Sequence, residues 1–364
     1  MKTLFNFILI FLIFSSCISQ PETNKSPLST HNWETADPAS VGLNQDSLNQ
    51  LFQLINDTPP EDFRALIVLK DGKLVVDEYF NSFWITNIHD IRSAGKSVTS
   101  MLAGIAMDKG LFKPSSKVFS FFPEYSKIKN KSKIKSEITV EDLLVMSSGL
   151  ASDDYLDDSP GTEDLMSMAE DYLKFTLDLP PDFEPGERWA YSSAVAFLLG
   201  SIVENTSEMT LEDFGRKHLF SPLGIEGFYW DKSPKGRTTG MGNVYFNARD
   251  FAKLGQLMLD GGVWNGTQII SKNFVQKSFE KRFDISDNDP FAHGYGYMWY
   301  IGKDEIGGKN IDFYFASGNG GNKVFIVPSL NMVVVTLSSA YGQWYGQRRS
   351  HRIFRRVLEA AFAN

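Results

Sequence analysis

Apolar residues recur along the chain with two periods. Leu48, Leu51 and Leu54 share one face of a helix expected over 46–55. The runs 65–69 and 74–79 flank Asp71-Gly72 and predict a β-hairpin. From Ser93 to about Gly110, the residues Val98, Met101, Leu102, Ile105 and Ala106 return every three or four positions and predict a buried helix. Further helical patterns cover 140–146, 163–175, 194–204, 211–218 and 248–259. The last third turns to strands at 295–301, 311–316, 323–327 and 332–338, followed by a helix over 351–362. Short turns such as Pro328-Ser329-Leu330-Asn331 predict antiparallel pairing. Strands at both ends with helices between them predict an α+β fold, an α/β sandwich. One antiparallel sheet would be built from both chain ends and flanked by helices, with a mostly helical region inserted at about 101–230.

The first residues follow a different pattern. Lys2 precedes an apolar stretch over 4–14, too short to span a membrane as a mature helix, and then comes Ser15-Ser16-Cys17. This resembles a bacterial lipobox. It predicts a signal peptide over 1–17 and a lipidated Cys17. The protein would then be exported and held by its anchor on a membrane, in the periplasm or at the cell surface. An ordinary signal peptide with an incidental cysteine is the alternative. Residues 18–35 read as a polar tether, and 36–364 as the folded domain. Cys17 is the only cysteine among 364 residues, which leaves no intrachain disulfide and no cysteine nucleophile in the domain.

A net charge of −8 argues against a nucleic-acid partner. The one basic run, Lys127, Lys129, Lys131, Lys133 and Lys135, reads as a hydrated connector between helices. The histidines at 31, 89, 218, 293 and 351 are scattered without metal-ligand spacing, so no metal centre is expected.

Ser-x-x-Lys sets a hydroxyl and an amine one helical turn apart on the same side. A partly desolvated lysine there can be neutral and take the serine's proton. The pattern occurs four times, at Ser93/Lys96, Ser126/Lys129, Ser132/Lys135 and Ser278/Lys281. The second and third lie in the lysine-rich connector, and the fourth reads as an exposed helix face. Only Ser93 opens an apolar helix, where backbone N–H groups favour a developing oxyanion. Ser93 as a plain N-cap stays open as the alternative. Downstream, Tyr191 stands at a loop-to-helix junction between Ala190 and Ser192-Ser193. Beside a charged lysine its phenolate would be stabilised and could act as a general base. A buried packing tyrosine is the other reading.

Several segments in order, Ser93-Ala94-Gly95-Lys96, Ser147-Ser148-Gly149-Leu150, Pro185-Gly186 with Tyr191-Ser192-Ser193, Pro222-Leu223-Gly224, and Ala316-Ser317-Gly318-Asn319-Gly320-Gly321, carry a resemblance over about 36–362. The chain resembles the β-lactamase-related serine hydrolases: class C β-lactamases, D-Ala-D-Ala carboxypeptidases and other penicillin-binding proteins, esterases and 6-aminohexanoate-dimer hydrolases. The resemblance implies a β-lactamase/transpeptidase-like fold and a Ser93, Lys96 and Tyr191 site working through an acyl-enzyme, without metal or organic cofactor. It aligns Ala316-Ser317-Gly318 with the family's third motif, and the N–H of Asn319 would join that of Ser93 as an oxyanion hole. A glycine-rich turn is the alternative for Asn319.

Two departures shape the substrate expectation. Ser193 stands where class C enzymes carry an asparagine that contacts the acylamide of lactams. Ala316 stands where a lysine or histidine would meet a substrate carboxylate. Both favour a small-molecule ester or amide as substrate, with an esterase or a 6-aminohexanoate-dimer-hydrolase-like amidase ahead of a β-lactamase, a carboxypeptidase or a transpeptidase. A non-catalytic peptidoglycan-binding relic is the rival from another class. The acidic loop 153–158 reads equally as solvated or as substrate-contacting.

Overall fold

In the first hairpin, β1 (Phe63–Lys70) and β2 (Lys73–Tyr79) meet at Asp71 and Gly72, whose φ angles of 53° and 74° are those a tight two-residue turn requires. The computed structural model describes residues 33–363, so the expected signal peptide, the Cys17 anchor and nearly all of the tether lie outside the described residues. The remaining strands are β3 (His89–Asp90), β4 (Tyr229–Trp230), β5 (Val244–Phe246), β6 (Val263–Trp264), β7 (Thr267–Gln268), β8 (Gly294–Tyr295), β9 (Tyr300–Ile306), β10 (Lys309–Gly318), β11 (Asn322–Val327) and β12 (Met332–Ser338).

Seven of them form one antiparallel sheet in the order β2-β1-β12-β11-β10-β9-β8. The β1–β12 pair, running from Phe63↔Ser338 to Lys70↔Met332, joins the two ends of the chain. Every residue of β11 and β12 is buried, because both faces of the sheet are covered.

The helices are α1 (Gln45–Asp57), α2 (Gly95–Asp108), α3 (Lys133–Glu137), α4 (Val140–Leu144), α5 (Glu163–Ser167), α6 (Tyr172–Asp178), α7 (Ser193–Ser207), α8 (Leu211–Gly215), α9 (Ala248–Leu259), α10 (Lys272–Ser278) and α11 (Trp344–Ala360). α11 lies on one face of the sheet, where Phe354 stacks on Phe325 at 4.0 Å, and α1 packs against it. α9 lies on the other face, where a Cβ on Gly255 would come within 2.5 Å of Val324. α2 runs between the sheet and α7 and is buried from Gly95 through Ala106. Its polar side chains are satisfied by carbonyls: Ser97 Oγ donates to Met298 O (2.6 Å), Thr99 Oγ1 to Gly240 O (2.5 Å) and Ser100 Oγ to Tyr297 O (2.8 Å).

The fold is the mixed helix and antiparallel-sheet architecture expected, with local differences. The helix expected over 163–175 is split, because Asp171 accepts from Lys174 N and caps a new helix. The strand expected over 295–301 stops at Tyr295, and Gly296 N bonds Trp299 O (2.9 Å) in a turn before β9. The lysine-rich connector is not wholly hydrated. Lys135 is buried, and its ammonium donates to Lys129 O (3.0 Å), Leu177 O (2.6 Å) and Leu179 O (2.9 Å). Burial pushes its pKa down to about 8. Ser278 is likewise buried, donating to Phe274 O (2.9 Å), rather than part of an exposed face.

Lys135→Met should strand carbonyls that Lys135 now satisfies and lower stability by about 1–3 kcal/mol or more, read as a fall in the urea midpoint.

Candidate active site

The turn before α2 aims Ser93. Asp90, at the end of β3, accepts from Arg92 N (2.8 Å) and forms an ion pair with Arg92 Nε (3.0 Å). It thereby holds Arg92 at φ 53°, a left-handed conformation unusual for a bulky residue. Ser93 follows on a short 3-10 turn, and Ala94, not Ser93, is the N-cap of α2. The hydroxyl is therefore not spent on a cap, which removes the N-cap reading.

One turn along, Lys96 Nζ lies 3.1 Å from Ser93 Oγ and donates to Met241 O (2.8 Å). The residue is only 2% exposed. Burial lowers its pKa below the ordinary lysine value, while the charges of Glu163 and Asp154 pull the other way. A neutral amine here has two N–H groups and one lone pair. Met241 O accepts a hydrogen bond from one N–H, and the lone pair can face Ser93 Oγ.

Tyr191 ends the loop before α7. It lines the cleft together with Ser93, and its ring centroid lies 4.9 Å from Lys96 Nζ. The ring stacks on Tyr155 at 5.2 Å, and Tyr191 O accepts from Asp154 N (2.7 Å). Burial raises the phenol above its usual range, with the Ser93 hydroxyl opposing. Burial thus opposes the phenolate that a charged lysine would favour. The desolvation that suppresses the lysine's charge suppresses the phenolate as well.

The third segment arrives on β10. A Cβ on Gly318 would fall 2.0 Å from Ile91 O, so only glycine lets the strand end pass against the chain leading into Ser93. Asn319 follows, its Oδ1 accepting from Gly342 N (2.7 Å) and its backbone O from Asn322 Nδ2 (2.8 Å). Gly320 and Gly321, at φ 88° and 92°, then form the turn into β11, so Asn319 both begins that turn and lines the cleft. Ser317 also lines the cleft, and its hydroxyl accepts from Lys323 Nζ (2.6 Å) on β11.

Ser193 does not join them. It is fully buried, its Oγ donates to Glu163 Oε2 (2.6 Å) and its N–H to Asp154 Oδ2 (2.7 Å), and it is absent from the cleft wall. The expectation that Ser193 meets substrate is corrected, since its hydrogen-bonding capacity serves the acidic loop. In that loop Asp154 is a hub that also accepts from Glu163 N (2.8 Å), and it lines the cleft together with Tyr155, Leu156 and Asp157.

Ser93, Tyr191, Ser317, Gly318 and Asn319 thus border one cleft of about 1150 Å³. Sequence reasoning missed Met241, Glu163 and Lys323, none of which carries a local motif. Among the described residues, no cluster of His, Cys, Asp and Glu is placed to hold a metal ion.

A model of the beta-lactamase family matches residues 64–357. The chain belongs to the beta-lactamase family. As a member of this serine hydrolase family it is 25% identical over 296 residues to the 6-aminohexanoate-dimer hydrolase of Paenarthrobacter ureafaciens, covering 76% of this chain and 72% of the relative. A Bacillus anthracis protein provisionally described as a 6-aminohexanoate-dimer hydrolase shares the fold with a TM-score of 0.71 and 19% identity, covering 92% of this chain and 88% of its own. A family VIII carboxylesterase shares it with a TM-score of 0.66 and 17% identity, over 91% and 99% of the two chains.

Gly318→Ala should force the strand end away from Ile91 and slow labelling of Ser93 by a fluorophosphonate probe by about 100-fold, the scale of loss for an ångström-sized misplacement. Retained near-UV circular dichroism would separate this from unfolding.

Proposed function

We propose that the chain is a serine hydrolase that cleaves esters and linear amides through an acyl-enzyme on Ser93, as an esterase or an amidase of the 6-aminohexanoate-dimer-hydrolase type. The observation that carries this reading is the buried Lys96 amine 3.1 Å from Ser93 Oγ. Neutral Lys96 takes the Ser93 proton as Oγ bonds to the substrate carbonyl carbon. The N–H groups of Ser93 and Asn319 receive the carbonyl oxygen as it gains charge. Tyr191 gives its phenolic proton to the departing oxygen or nitrogen and is reprotonated from the Lys96 ammonium. In the second half water attacks the acyl group, its proton passes to the same pair, and the acid leaves Ser93 with its proton restored.

Esters and linear amides stand ahead of β-lactams for two reasons. Ser193 is drawn away from the cleft wall by its bond to Glu163, so this position offers no contact to an acylamido group. The cleft mouth also carries Leu156, Leu165 and Trp344, which suit an apolar chain.

Ser93→Ala should abolish fluorophosphonate labelling, and the wild-type protein should turn over p-nitrophenyl esters faster than a chromogenic cephalosporin. No labelling of the wild type would favour the non-catalytic relic, and faster cephalosporin turnover would reverse the substrate order. Because burial lowers Lys96, kcat/KM should rise with pH along a limb centred below the ordinary 10.5. Glu163 stabilises the ammonium, so Glu163→Gln should move that limb to lower pH; an unmoved or alkaline-shifted limb would contradict Lys96 as the proton acceptor.

A further inference from the structure

We propose that Lys323 is a positioning residue that, acting through the Ser317 hydroxyl, makes the β10 side of the cleft select substrates bearing a carboxylate. This deepens the reading of the Ser93 cleft as the substrate site and rests on it.

Ser317 and Lys323 are directly opposed in the β10–β11 register, and Lys323 Nζ donates to Ser317 Oγ at 2.6 Å. Lys323 is 1% exposed and does not reach the cleft, whereas Ser317 lines it. Buried lysines are rare and costly, so one whose hydrogen bond runs to a cleft serine calls for a role. The ammonium sits 4.7 Å from the Phe315 ring centroid and 6.0 Å from that of Phe291. Two titratable groups face it. His351 on α11 is held neutral by burial and by the lysine's charge, and Asp289, from the loop before β8, favours the ammonium. Across the other edge of β11 its register partner is the uncharged Thr336. Burial brings Lys323 down to about 7, so an anion nearby would tip it to the charged form.

The direction of the hydrogen bonds gives the consequence. A charged lysine has three donors and no acceptor, so the bond must run from Nζ to Oγ. The Ser317 proton is then directed elsewhere. Its partner within the protein is Gln347 Oε1, at a long 3.3 Å, an orientation fixed because Gln347 Nε2 donates to Gly318 O (2.7 Å). A carboxylate oxygen entering the cleft is a stronger acceptor and would capture that proton, and its charge would offset the desolvation of the ammonium. Ala316, uncharged on β10 itself, left this cation invisible to inspection of one strand. A buried charge acting through a serine suits a carboxylate at the end of a flexible chain.

Ligand-observed NMR titrations with hexanoate and with hexanamide, its neutral counterpart, test this on the wild type, Lys323→Met and Ser317→Ala. The wild type should bind hexanoate more tightly. Lys323→Met should weaken hexanoate about tenfold or more and hexanamide less than twofold, the scale of a charge-assisted bond. Ser317→Ala, which leaves Lys323 in place, should also weaken hexanoate selectively. Equal changes for both ligands, or a wild type that binds them equally, would overturn the proposal. Binding is read without turnover, so an inactive protein would count against the Ser93 reading and leave this result interpretable.

Discussion

The site depends on an amine kept out of water. Lys96 Nζ has Met241 O and Ser93 Oγ as its partners in a position with almost no solvent, and the rest of the fold keeps it there. α2 is fastened along its length by hydroxyls that bond carbonyls of two separate loops, near 240 and 297. The sheet adds the opposing wall, because Gly318 can lie against Ile91 only without a side chain. Desolvation sets the protonation pattern. It disfavours the ammonium of Lys96 and the phenolate of Tyr191 together, on either side of one hydroxyl.

Charge around this dry centre is divided. Asp154 from the acidic loop and Glu163 from the start of α5 moderate Lys96, and both are tied to Ser193 at the start of α7. Tyr191, two residues earlier, is thereby fixed through its own carbonyl. On the far side, the polar chain Lys323–Ser317–Gln347–Gly318 links a buried lysine to the strand end beside Ser93. One cleft therefore has an acidic flank and a flank backed by a buried amine, with apolar residues at its mouth.

Features governed by neighbours in sequence were legible. The Asp71-Gly72 hairpin, the apolar helix after Ser93 and the Ser93/Lys96 spacing each follow from local period or turn chemistry. The joining of both chain ends in one sheet followed from strand order. Features set by long-range register were not. Lys323 meets Ser317 only because β10 and β11 pair as they do, and Ser193 turns from the cleft only because Glu163, from 30 residues upstream, takes its hydroxyl. Lys135 looked hydrated because charge runs usually are, yet one turn of helix aims it at three carbonyls. The burial that opposes the Tyr191 phenolate was not legible either, because sequence shows a neighbouring lysine but not the desolvation that both share.

The protonation state of Lys96 is open to direct measurement. In protein labelled with 15N-lysine, the Nζ resonance assigned by its loss in Lys96→Arg can be followed through a pH titration. A midpoint clearly below 10.5 agrees with a desolvated, neutral-capable amine beside Ser93. A midpoint at or above that value would show a permanently charged lysine and contradict the account.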